Sequence, residues 1–169
     1  LATLRGIAKA AQIYKSPVMI GTSEGERKFI GLQEAVVIVE AAVKQFEIPM
    51  FLNADHSVSV ESAMAAIDYG YNSIHIDLSR KTLEENIKET IELVGHAKRT
   101  HRTISIEGEV GYLVTESSKV YQQKIEIPQE SLTKPEQARE FVERTGVDRF
   151  APAVGSLHGI AANTPKLDI

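Results

Sequence analysis

The sequence predicts an α/β protein built as an incomplete (β/α)8 barrel of the TIM type. Three observations carry this expectation. Short apolar runs alternate with longer amphipathic ones, no two short runs are joined by a tight turn, and polar side chains follow the end of one short run after another. Sequential strand–helix units of this kind demand a parallel sheet with right-handed crossovers. An open doubly wound sheet meets the same demand but gathers its site at one switch point. A barrel instead collects residues from the C-terminal ends of many strands. Here Glu24, Asp55 and His56, Asp77, Glu109 and His158 follow successive strands. No GxGxxG or Walker-type loop follows the first strand, so a nucleotide-binding open sheet loses its main support.

The elements are read in order. Leu1 to Tyr14 has a helical pattern, entered partway. Pro17 to Ser23, with Val18, Met19 and Ile20 in succession, predicts a strand buried on both faces. The polar run SEGERK from Ser23 reads as a loop. Gly31 to Phe46 carries Leu32, Ala35, Val36, Val39, Ala42, Val43 and Phe46 as a helical stripe. Pro49 to His56 is the second strand. Ser59 to Tyr69 is a helix with Val60, Met64 and Ile67 inward and Gly70 at its stop. Asn72 to Ser79 is a strand, and Thr82 to Lys98 a helix with Leu83, Ile87, Ile91 and Val94 in line. Thr103 to Gly111 is the fourth strand. Tyr112 to Leu132 is polar and predicts a loop around Ser117-Ser118 with a small hairpin in VYQQKIEI. Pro135 to Arg144, with Pro in the first turn and Gly146 beyond the end, is a helix. Asp148 to Ser156 is the fifth strand. The sequence thus supplies about strands 2 to 6 of eight, as a single partial barrel domain over 1–169 whose two ends, Leu1 and Ile169, read as cut.

The composition narrows the class of function. With 43% apolar and 25% charged residues in 169, the chain is an ordinary globular domain rather than a disordered or collagen-like one. Nineteen Lys and Arg against twenty-three Asp and Glu give a formal net charge of −4, with no basic stripe, which argues against a nucleic-acid partner. The chain has no cysteine, and so neither disulfides nor thiolate metal sites. Its longest apolar stretch, Ala35 to Val43, is broken by Glu40 and is too short to span a membrane, and the first residues lack a signal-peptide pattern.

Residues two apart on a strand share a face. Asn53 with Asp55, His75 with Asp77, and Glu107 with Glu109 therefore point the same way on three neighbouring strands. Ionisable groups on buried strands are costly unless paired, hydrogen-bonded or bound to a metal, so the pairs suggest a polar mouth around a cation. His56 and His158, each just beyond a strand, would reach the same mouth. Imidazole donors select zinc, copper, iron or nickel, and carboxylates nearby would hold a second ion. Taken singly, most of these residues have bland readings. Asp55-His56 beside Ser57 resembles a helix-capping stretch. His75, between apolar neighbours, reads as a packed core histidine. Glu107 and Glu109 fit the solvated face of an edge strand, and His96 and His101 read as surface residues. His158 stands out, because GSLHG sets a histidine between small residues that admit a ligand close to backbone.

Together the strings NADHSVSVESAMAAIDYGYNSIHIDLS, ISIEGEVG and RTGVDRFAPAVGSLHG, followed by TPKLD, resemble the class II, metal-dependent ketose-bisphosphate aldolases, of which fructose-bisphosphate aldolase is the type. The resemblance runs from about Ile13 to Asp168. It implies reversible aldol cleavage of a ketose 1,6-bisphosphate, with fructose 1,6-bisphosphate ahead of the tagatose isomer. A non-catalytic binding module derived from such an enzyme is the alternative of a different class. By resemblance, Asp55 is the catalytic acid/base, and His56 and His158 are two of three ligands to a catalytic Zn2+. Asp77 and Glu109 hold a second or alternate position for a divalent or monovalent cation. Gly159 and Asn53 contact substrate. Asn53 stands where many members have histidine, and Tyr112-Leu113-Val114 replaces the usual glycine-rich continuation after Gly111. The resemblance also implies a cytoplasmic enzyme assembled as a homo-oligomer. The third zinc histidine and the phosphate-gripping loops are not found in the sequence. The 169 residues alone are therefore expected to show little or no aldolase activity.

Overall fold

The computed structural model describes residues 1–115, 119–163 and 167. Helix α1 (Ala2–Tyr14) leads into β1 (Val18–Ser23), α2 (Glu24–Ile30), α3 (Leu32–Phe46) and β2 (Met50–Ser57). Then come α4 (Val60–Tyr69), β3 (Ser73–Ile76), α5 (Leu83–Arg99), β4 (Ser105–Val110) and the short β5 (Val120–Tyr121). A 3-10 turn (Gln129–Ser131), α6 (Pro135–Thr145), β6 (Arg149–Pro152) and the short β7 (Ile160–Ala161) complete the order among the described residues. Among the described residues, no helix is long and apolar enough to cross a membrane.

Five strands form one parallel sheet in the order β1-β2-β3-β4-β6. Each strand pairs with the next main strand along the chain. A doubly wound sheet reverses its order at a switch point, and this one never does. The arrangement is that of a partial TIM-type barrel, and the sheet is not closed.

Alternation along the strands sorts the two faces. Leu52, Ala54, Ile74, Ile76 and Ile106 are buried in one apolar cluster with Ala35, Val39, Ala63, Ile67, Leu93 and Val94 from the surrounding helices. Their strand neighbours Asn53, Ser73, His75, Glu107 and Glu109 make a polar inner face. Ser73 Oγ donates to Asn53 Oδ1 at 2.6 Å, and Arg149 of β6 bonds Ser73 Oγ, Ser105 Oγ and, at 3.0 Å, the Glu107 carboxylate. Asn53 with Asp55 on β2 and Glu107 with Glu109 on β4 keep the two-residue spacing read from the sequence, whereas Asp77, paired there with His75, lies just beyond the end of β3.

The helix ends obey local chemistry. Ser59 and Thr82 cap α4 and α5 through their side-chain oxygens. Gly70, at φ +115°, closes α4 in a conformation that other residues rarely adopt. Gly108 is required for another reason. A Cβ there would lie 2.5 Å from Phe141 Cε1, so α6 packs directly onto the β4 backbone.

Four expectations are corrected. SEGERK is not a loop: it forms α2, because Ser23 Oγ accepts from the Glu26 N–H while the Glu26 carboxylate accepts from the Ser23 N–H and hydroxyl, a capping box. VYQQKIEI forms no hairpin within itself; Val120–Tyr121 pairs in parallel with Ile160–Ala161, and Asn163 bonds both backbone groups of Ile125. Strand β1 is not buried on both faces, since Met19 is 45% exposed while its neighbours Val18 and Ile20 are half-buried against the core. Ile91 is exposed on α5, and Thr90, Leu93 and Ala97 take the inward stripe beside Ile87 and Val94. The pair Ser117-Ser118 and most of the TPKLD string, 164–166 and 168, lie outside the described residues.

Candidate active site

The C-terminal ends of the parallel strands open on a cavity of about 570 Å3. Ser23 from β1, Asp55 and His56 from β2, Asp77, Ser79 and Arg80 after β3, and Glu109 from β4 line it. Tyr112, Leu113 and Thr115 close one side, and His158 arrives beyond β6. Five residues singled out in the sequence, Asp55, His56, Asp77, Glu109 and His158, therefore share one space. Asn53 sits on the same inner face but is buried below the cavity, its oxygen bound by Ser73. Gly159, at φ +76°, follows His158 and is not part of the cavity lining.

His56 is the hub. Its Nδ1 lies 2.9 Å from Asp77 Oδ2 and 3.8 Å from Glu109 Oε2. Its ring centroid is 6.0 Å from that of His158, edge-on at 90°. The backbone of His158 is fixed by its N–H donating to Thr115 Oγ1 at 2.8 Å. Asp77 is held from its other oxygen by the Ser79 N–H and hydroxyl, at 3.2 and 2.6 Å. The Glu109 carbonyl accepts from Asn86 Nδ2 of α5 at 2.8 Å, which anchors the end of β4.

His75 is the residue whose sequence reading was incomplete. It is buried, as expected of a core histidine, yet its Nε2 lies 3.0 Å from Glu109 Oε2 and its Nδ1 is 3.9 Å from Asp55 Oδ1. It joins the acid/base candidate to the metal-ligand candidates. The signal was the two-residue spacing to Asp77, which outweighs the apolar neighbours Ile74 and Ile76.

The charges tune one another. Burial works to lower the His75 pKa, but the carboxylates of Asp55, Glu109 and Glu107 outweigh it and raise it to about 9. The Asp77 hydrogen bond raises the pKa of His56 against its burial. Burial pushes the Asp77 carboxyl up, and the bonds from His56 and Ser79 overcome this and hold it well below the usual carboxylate range. His75 in turn keeps Asp55 below its ordinary value. Asp55 and Asp77 are therefore ionised at neutral pH.

Such a donor set fits a divalent cation. One nitrogen of His56 and one oxygen each of Asp77 and Glu109 lie within 4.8 Å of one another, as do ligand atoms of Asp55, His56 and His75. His158 belongs to neither group but faces His56 across the cavity. Two imidazoles and carboxylates directed at one space suit zinc or a neighbouring transition metal.

The fold and the site together define a barrel-type enzyme scaffold with a metal-suited mouth, and the comparisons give its family. Residues 1–169 match the family described as class-II fructose-bisphosphate aldolase. The chain is 36% identical over 166 residues to the fructose-bisphosphate aldolase of Geobacillus stearothermophilus, covering 96% of this chain and 55% of that protein. It is 37% identical over 167 residues to the fructose-bisphosphate aldolase of Giardia intestinalis, covering 98% and 49%. The crystal structure of the YdjI aldolase from Escherichia coli K12 matches at a TM-score of 0.77 and 32% identity, over 97% of this chain and 55% of that one. The fructose-bisphosphate aldolase of Campylobacter jejuni shares the fold, with a TM-score of 0.71 at 21% identity over 95% and 53%. The chain belongs to the class II fructose-bisphosphate aldolase family. It spans about half the length of the curated relatives it matches.

Proposed function

We propose that this chain carries the acid/base and metal-ligand half of a site for reversible aldol cleavage of fructose 1,6-bisphosphate, giving dihydroxyacetone phosphate and glyceraldehyde 3-phosphate. The observation that carries the reading is the meeting of Asp55, His56, Asp77, Glu109 and His158 in one cavity at the strand ends. His56 and His158 would hold Zn2+, with Asp77 and Glu109 serving a second or alternate cation position. The bound cation supplies stabilisation of the negative charge that bond cleavage leaves on the three-carbon enediolate.

The chain's own residues handle the C4 proton. Asp55, kept ionised by His75, takes the proton of the C4 hydroxyl as the C3–C4 bond breaks. The C4 oxygen becomes the aldehyde carbonyl, and the bond's electron pair passes to the three-carbon fragment. The family resemblance assigns the backbone at Gly159 and the side chain of Asn53 to substrate contact, although neither lines the cavity in this structure. A proton taken from solvent at C3 then completes dihydroxyacetone phosphate, and Asp55 returns the proton it collected to solvent. No Schiff-base lysine is required. The same reading includes a cytoplasmic enzyme of identical subunits.

The test is cleavage of fructose 1,6-bisphosphate by the full protein. Turnover that a chelator abolishes and zinc restores is expected. Turnover indifferent to the chelator, or none on either the fructose or the tagatose substrate with zinc bound, contradicts the assignment.

A further inference from the structure

Asp55 and His56 are adjacent in β2, and adjacent strand residues point to opposite faces. Both nonetheless line the same cavity. The backbone achieves this at His56, which stands at φ +42° in the left-handed region. The pairing of β2 with β3 slips there too. Ala54 faces Ile74, but Ser57 faces Ile76, so three steps on β2 match two on β3. That is a β-bulge, a device that re-aims side chains beside a site.

Something must hold a conformation that a histidine does not favour. Arg27 of α2 is placed to do so. It is 4% exposed, and its guanidinium spends its donors on backbone and hydroxyl rather than on a carboxylate. Nη1 donates to the carbonyls of Thr22 at 2.5 Å and Asp55 at 3.0 Å, and Nη2 donates to Ser57 Oγ at 3.1 Å. Asp55 and Ser57 flank His56, so one rigid fork grips the chain on both sides of the bulge. Glu24, on the same helix, accepts from the Val58 N–H at 3.3 Å and secures the residue that follows. A lysine has no planar fork with which to bridge these acceptors.

We propose that Arg27 is a positioning residue, which locks the Asp55-His56-Ser57 bulge so that the acid/base and the metal ligand face the cavity together. The proposal rests on the roles given above to Asp55 and His56. It assigns a function to helix α2, whose sequence had suggested only a loop.

The test compares the full chain with Arg27→Lys, Arg27→Met and Ser57→Ala, each checked for folding by circular dichroism. In the metal-free proteins the imidazole resonances of His56 are followed by NMR, with surface His96 as reference. Zinc affinity is then measured by competition with a chromophoric chelator. In the folded Arg27 variants the His56 signals move while those of His96 do not, and zinc binding weakens at least tenfold, Arg27→Lys less than Arg27→Met. Ser57→Ala, which leaves the bond to Asp55, shows a smaller change of the same kind. If Arg27→Met does not fold, the other two variants decide. A merely stabilising arginine would lower the melting temperature and leave the His56 signals and zinc affinity unchanged, which overturns the proposal. A wild-type chain that takes no zinc would contradict the metal assignment, while the His56 signals would still decide the role of Arg27.

Discussion

His75 Nε2 and Glu109 Oε2 meet at 3.0 Å beneath the cavity, both residues buried, and this pair ties the floor of the site to the stability of the fold. Unfolded, a histidine of this kind titrates near 6.5; here the pKa is raised to about 9. The native state therefore binds the proton more tightly, and the stabilisation is fully present below pH 6.5 and lost as pH rises through 9. His56, whose pKa is also raised, adds in the same direction. The metal-free chain is expected to lose up to about 3 kcal/mol of unfolding free energy across that window. Urea titrations at pH 6 and pH 9.5 in the presence of a chelator measure it. His75→Gln should flatten the slope, and equal midpoints in the wild type would contradict the coupling.

Cation binding runs against the same protons. A ligating imidazole must be neutral, and the Asp77 bond favours the charged form of His56. Zinc affinity should thus rise with pH across neutrality, with net proton release on binding. Calorimetry at pH 7 in buffers of different ionisation enthalpy counts the protons. His56→Ala and His158→Ala should each weaken binding by more than about tenfold. Pairing unaffected by either change would remove both residues from the ligand set.

Asp55 should matter to chemistry more than to binding. Asp55→Ala in the full protein is expected to lower kcat by about 10^2 to 10^4, the usual contribution of a positioned acid or base. KM should change far less, because the group acts on a proton rather than holding the substrate. Steady-state kinetics at saturating zinc separate the two. An unchanged kcat would show that another group handles the C4 hydroxyl.

The contact between α6 and β4 makes a stability prediction independent of the chemistry. Gly108→Ala would set a methyl 2.5 Å from Phe141 Cε1, and overpacking of this kind costs about 1–3 kcal/mol. Chemical denaturation gives the value directly. Phe141→Leu in the same chain should return part of the loss, as expected for residues in contact.

Much of this architecture was legible because it rests on local pattern. The five main strands and the helices between them follow from apolar runs, stripes and stops such as Gly70 after α4 and Gly146 after α6. The convergence of Asp55, Asp77 and Glu109 followed from their place at successive strand ends. What was missed has identifiable causes. Helix α2 has seven residues and no apolar stripe, so its capping box from Ser23 to Glu26 was the sole signal. His75 was masked by Ile74 and Ile76, although alternation placed it on the face of Asn53 and Asp77. The pairing of Val120–Tyr121 with Ile160–Ala161 joins distant segments that share no local pattern. The role of Arg27 is invisible in sequence, because its partners are backbone carbonyls of two different strands.

Anomalous scattering at the zinc edge from crystals of the chain soaked in zinc tests the shared centre most directly. The expected result is a peak in the strand-end cavity, within coordination distance of imidazole nitrogens from both His56 and His158. Zinc bound only elsewhere, or held by His56 with His158 turned away, would contradict the proposed assignment.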